Sequence, residues 1–150
     1  MLIVYAQRDE AFEQQAKELI QAQPWLQRWD ELLEDEALLE QVRADLARRS
    51  PLTRQHGRHS TPVEVIVRLL VLKQLCQWSY QQTVEQVSQR LELRWLCRIN
   101  GRAVPTESTL LRWAQQVRPE TEQVLSEQVR RLLTEPQSRR KPRRGRKVSR

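Results

Sequence analysis

Ser108, Thr109 and Arg112 set two short hydroxyls at the start of an apolar-periodic stretch and a guanidinium one turn further on. At a helix N-terminus, hydroxyls and free backbone N–H groups can bind phosphates or base edges, and an arginine one turn along can reach a guanine. The same residues also make ordinary caps of a helical bundle. A second group is the run QSRRKPRRGRKVSR at 137–150, which carries eight Arg or Lys and no acid. Arg139, Arg140, Lys141, Arg143, Arg144, Arg146, Lys147 and Arg150 can each neutralise a phosphate. If five of them engage a duplex, counterion release gives a log–log salt slope of about −4 to −5. A third group is the polar stretch PLTRQHGRHS at 51–60, where Arg54, Arg58 and His59 offer phosphate contacts. The alternative for that stretch is a plain polar connection, and for the arm a solvated tail.

Other chemistry finds little support. His56 and His59 stand without cysteine or carboxylate company, a poor metal site. Asp30, Glu31, Glu34, Asp35, Glu36 and Glu40 could imitate a two-metal site, but read better as a solvated acidic face. There is no phosphate-cradling glycine loop, nucleophile elbow or Cys–His pair with a mechanism, and no cofactor is expected. Cys76 and Cys97 lie in apolar surroundings and read as buried thiols rather than a disulfide. Trp25, Trp29, Trp78, Trp95 and Trp113 sit among leucines at helical spacing, which favours core packing over base stacking. The chain's net charge of +7 is more than accounted for by the arm, and the residues before it sum to −1. Residues 1–50 carry −5 and residues 51–100 carry +4, so the acidic N-terminal part would face away from a polyanion. No apolar run approaches the roughly 20 residues of a membrane span, and no signal-like leader is present, which implies a cytoplasmic chain and no membrane partner.

The elements that must position these groups are helices. Seven prolines and three glycines cut the chain into segments of 3.6-residue periodicity, and sustained alternation is missing throughout. Asp9 opens a first helix toward Gln23 with Phe12, Ala16, Leu19 and Ile20 on one face. Pro24 separates it from a second helical stretch, where Trp25, Leu26, Trp29, Leu32 and Leu33 recur at helical spacing, and Asp35 caps a third helix through Leu38, Leu39, Val42 and Leu46 to Arg49. Thr61, Pro62 and Glu64 read as N-cap, N1 and N3 of a capping box. The helix that follows is apolar on most of its circumference and belongs at the centre of a bundle, with Arg68, Lys73 and Gln74 as its wet face. Ser79 and Gln82 repeat the capping device ahead of Tyr80, Val84, Val87 and Leu91. A short apolar piece through Leu93, Trp95, Leu96, Cys97 and Ile99 ends at Asn100-Gly101, where Gly101 suits a left-handed cap. The cluster 105–109 starts a helix with Leu110, Leu111, Trp113, Ala114 and Val117. Pro119 begins the last helix, with Val124, Leu125, Val129, Leu132 and Leu133 inward. The fold class is thus all-α: a helical bundle with a helix-turn-helix-like unit over Ser79–Val117 and a disordered basic C-terminal tail. The expected division is 1–50 for the N-terminal helices, 51–136 for a helical domain that would bind DNA and 137–150 for the arm.

A series of short pieces, in order, gives Glu40–Arg118 a family likeness. They are Val42–Arg49, Gly57–Val65, Val71-Leu72-Lys73 leading to Trp78-Ser79-Tyr80, Leu93-Arg94 with Cys97-Arg98, and Val104-Pro105 leading into Ser108–Ala114, then Pro119-Glu120-Thr121. This stretch resembles the N-terminal domain of bacterial insertion-sequence transposases of the InsH-like group. The resemblance implies a helical domain that recognises element ends, followed by a separate RNase H-like domain with an acidic metal triad. In such proteins a segment like Arg144-Gly145-Arg146-Lys147 leads into the first catalytic strand; here Val148-Ser149-Arg150 follow, and none of the family's catalytic acids has a counterpart. The expected function is binding of double-stranded DNA at transposon terminal inverted repeats, without cutting or joining by this chain. A second copy of the chain, or intact transposase, is the expected protein partner. The alternative is a helical protein-interaction module that dimerises or docks, with an incidental basic tail.

Overall fold

Helix boundaries follow the prolines and the capping side chains. In a computed structural model, which describes residues 3–49 and 61–134, these signals mark most of the eight helices, and there is no strand among the described residues. They are α1 (Glu10–Gln21), α2 (Pro24–Leu32), α3 (Glu36–Arg49), α4 (Val63–Cys76), α5 (Tyr80–Gln89), α6 (Leu91–Leu96), α7 (Glu107–Gln116) and α8 (Pro119–Thr134). The Asp9 carboxylate accepts from Phe12 N at 3.1 Å to start α1, and that of Asp35 from Leu38 N at 3.2 Å to start α3. Pro24 occupies the first turn of α2, where its missing N–H costs nothing. Ser79 and Gln82 form a complete capping box on α5, with bonds of 3.0 and 2.9 Å.

The core is built around α4. Ten consecutive residues, Val63 to Leu72, are buried, because α3, α5, α7 and α8 all pack on this helix. Each large apolar side chain buried there contributes about 1.5–3 kcal/mol. The α1 helix packs on α2 and α6 through Phe12, Ala16 and Ile20. Residues from both sides of the 50–60 stretch share this core: Leu38, Leu39, Val42 and Leu46 of α3 with Leu125, Val129 and Leu132 of α8 and the α4 residues. Two long-range polar contacts reinforce it. The Asp45 carboxylate accepts from Arg118 N at 3.0 Å, tying α3 to the α7–α8 junction, and Gln128 Nε2 donates to the Leu32 carbonyl.

Several expectations are corrected. The α4 start is not a Thr61–Glu64 capping box: Pro62 is the cap, with no side-chain cap bond. The N–H groups of Val63 and Glu64 instead donate to the carbonyls of Ile3 and Val4, both at 2.8 Å. Glu64 is thereby free to accept from Ala6 N at 3.1 Å. Arg68 is no part of a wet face; it is 1% exposed. Leu19, Leu111 and Leu133 are exposed, since each lies at the rim of a packed stripe narrower than its helix face. Gly101 is not the left-handed residue of its turn; Arg98 (φ 63°) and Asn100 (φ 57°) are.

Candidate nucleic-acid interface

The helix carrying Ser108, Thr109 and Arg112 is α7, and its cap is Thr106 rather than Ser108. The Thr106 hydroxyl accepts from Thr109 N at 3.3 Å and donates to the Thr109 hydroxyl at 2.9 Å. The Thr109 side chain is therefore engaged within the first turn. Leu110 is fully buried, with Trp113, Ala114 and Val117 half-buried beside it, and α7 rests on α3, α4 and α5. The opposite stripe, Ser108, Leu111, Arg112 and Gln115, is exposed. These positions recur at i, i+3, i+4 and i+7, so they form one continuous outer face. Ser108 and Arg112 have no side-chain partner among the described residues.

The α5 helix packs on α6 and α7, and α6 with the 97–106 connector intervenes between α5 and α7. The pair is not joined by the three- to four-residue turn of a tight helix-turn-helix. The connector is held by Arg94. Its Nε donates to the Ser88 carbonyl at 3.0 Å, and its Nη1 donates to the carbonyls of Asn100 and Arg102, both at 2.9 Å. The Arg94 carbonyl accepts from Ile99 N at 2.9 Å and Asn100 N at 3.1 Å. Two left-handed non-glycine residues sit in this turn, a conformation that persists only when its surroundings enforce it.

Beneath the surface lies an ion network that the residue pattern did not announce. Arg68 Nη1 donates to Asp30 Oδ1 at 2.6 Å and to the Leu96 carbonyl at 2.8 Å. Arg98 reaches the same Asp30 oxygen at 2.8 Å, Glu64 Oε2 at 3.4 Å and Glu34 Oε2 at 3.7 Å. Glu64 Oε2 also lies 3.7 Å from Arg68. Asp30 is thus no member of a solvated acidic face; it is the hub joining α2, α4 and the end of α6. The available signal was a lone arginine, with glutamate four residues before it, inside an otherwise apolar helix. Arg98 also stacks on Trp95, 5.6 Å from the ring centre.

All five tryptophans are half-buried against the core, and Trp25 meets Trp29 edge-on at 4.7 Å. Cys76 and Cys97 are free thiols. Burial pushes the Cys97 thiol up to about 12, against the lowering influence of Arg68 and Arg98, and burial also raises Cys76. No group of three or more His, Cys, Asp or Glu among the described residues could hold a metal ion, and none of their helices is long and apolar enough to cross a membrane. Arg54, Arg58 and His59, and the arm residues Arg139, Arg140, Lys141, Arg143, Arg144, Arg146 and Lys147, lie outside the described residues.

Fold and surface together define an all-α domain that presents a polar, arginine-bearing helix face on a tightly packed bundle. Residues 14–116 match the family described as transposase domain (DUF772), and with more than half of its length inside that match the chain belongs to this family. The match begins well before Glu40 and so takes in most of α1 and all of α2. No curated protein and no solved structure matches the chain.

Proposed function

We propose that this chain is the DNA-binding part of an insertion-sequence transposase and recognises the terminal inverted repeats of its element. The observation that carries this reading is membership of the transposase domain family over residues 14–116. The exposed Ser108–Leu111–Arg112–Gln115 stripe of α7 supports it, because a rigid helix face bearing a guanidinium without a partner among the described residues suits the major groove. Backbone contacts come from Arg54, Arg58 and His59 and from the basic arm; these fix register without reading sequence. In this reading the chain binds ends and competes with, or assists, a catalytically complete transposase.

Gel-shift titration tests the proposal. Element-end duplex should bind well above random duplex. Arg112→Ala should lower that discrimination more than overall affinity, while deleting 137–150 should weaken binding to every duplex and flatten the salt slope. Equal, fully salt-sensitive binding to all sequences would leave only a polyanion-binding arm and would favour the interaction-module reading. Magnesium-dependent nicking by the purified chain would overturn the division of labour.

A further inference from the structure

We infer that Arg102 is a further phosphate-contact residue and that Arg94 is the positioning residue that aims it, an inference that rests on the DNA-binding reading above. Five arginines lie between the end of α5 and the middle of α7, and their partners sort them. Arg90 is spent on Glu92 at 3.2 Å, and Arg98 on Asp30, Glu64 and Glu34. Arg94 gives its donors to three carbonyls. Arg102 and Arg112 remain, and neither side chain has a partner among the described residues. Both are exposed.

Arg102 is anchored at its backbone while its side chain has no partner among the described residues. Its carbonyl accepts from Arg94 Nη1 at 2.9 Å and its N–H donates to the Ile99 carbonyl at 3.1 Å. Four residues later Thr106 caps α7, the helix whose outer face carries Ser108 and Arg112. A cation on a fixed backbone next to a groove-reading helix loses less conformational freedom on meeting a phosphate than one on a loose loop. Arg94 supplies that fixity: it bridges the α5 end to the connector and holds a turn with left-handed residues at 98 and 100. Arginine suits the task because its planar fork reaches several acceptors at once, which a lysine ammonium cannot match at these positions.

Binding of a labelled element-end duplex, followed by anisotropy between about 50 and 200 mM salt, tests both parts. Arg102→Gln should make the log–log slope shallower by about 0.9, equivalent to about fivefold weaker binding near 0.15 M salt. Arg130→Gln removes a cation already paired with Glu127 at 2.7 Å and should leave the slope unchanged. Arg94→Lys should lose as much as Arg102→Gln, and the double variant should lose no more than either. An unchanged slope in Arg102→Gln, or an equal change in Arg130→Gln, overturns the contact. Additive losses in the double variant, or global loss of helix in Arg94→Lys, overturn the positioning role. If the wild-type chain binds no duplex, the DNA-binding reading itself fails, an outcome distinct from binding that ignores Arg102.

Discussion

Replacing Asp30 by alanine should destabilise the fold far more than replacing Arg68 by methionine, although the two side chains meet at 2.6 Å. The side chain of Arg68 is 0% exposed, and Asp30 is its nearest acid, the next being Glu64 at 3.7 Å. Asp30→Ala leaves a buried guanidinium with the Leu96 carbonyl, the backbone carbonyl of residue 30 at 3.4 Å and one longer ion pair, and also strips Arg98 of its 2.8 Å partner. Removing one partner of a buried pair costs about 3–5 kcal/mol. The lower end applies here, about 3 kcal/mol, because Glu64 remains and Asp30 is itself 16% exposed. Arg68→Met fills the same space with apolar atoms while Asp30 keeps Arg98, so the cost should be about 0–1.5 kcal/mol. With a urea slope of about 2 kcal/mol per molar, the midpoints fall by about 1.5 M and by less than about 0.8 M. Tryptophan fluorescence reads both transitions, since five tryptophans pack on the core. Equal midpoints, or a larger loss for Arg68→Met, would refute the view that Asp30 chiefly neutralises a buried charge.

Other outcomes follow from the same geometry. Ser79→Ala should cost about 1 kcal/mol in thermal or urea unfolding, because it removes the capping box of α5. Deleting residues 1–6 should cost about 1–3 kcal/mol and speed hydrogen exchange at Val63 and Glu64, whose N–H groups lose the Ile3 and Val4 carbonyls. In native protein a thiol reagent should modify Cys97 far more slowly than Cys76, with both reacting in denaturant. Cys97 also makes stability fall in alkali. Its folded value of about 12 lies above the ordinary 9.0, so its contribution is complete below pH 9.0 and is lost as pH rises toward 12. Cys97→Ala should show a shallower alkaline decline.

Local grammar accounts for what could be read from the residues. Asp9, Asp35 and Ser79 act on chain neighbours, so their helix starts were legible, and Pro24, read as a break, is the first residue of α2. The misread start of α4 has a non-local cause: carbonyls about sixty residues earlier take the N–H groups that a capping box would have served. Arg68 was misread for the same reason, since Asp30, 38 residues away, converts a solvent-facing cation into a buried one. At the connector, Asn100 rather than Gly101 takes the left-handed conformation, which asparagine tolerates and the Arg94 bonds enforce. Periodicity alone placed Arg112 away from the apolar stripe. Arg102 was invisible by comparison, because an arginine on a connector looks merely solvated until the pairing of Arg90 and Arg98 is known.

Selection from a pool of randomised duplexes by the purified chain, with sequencing of the bound fraction, tests the central claim most directly. The account predicts one enriched motif that coincides with the terminal inverted repeats flanking the gene, and its loss in Arg112→Ala. Recovery of duplexes without a common motif, or of a motif absent from those repeats, would contradict it.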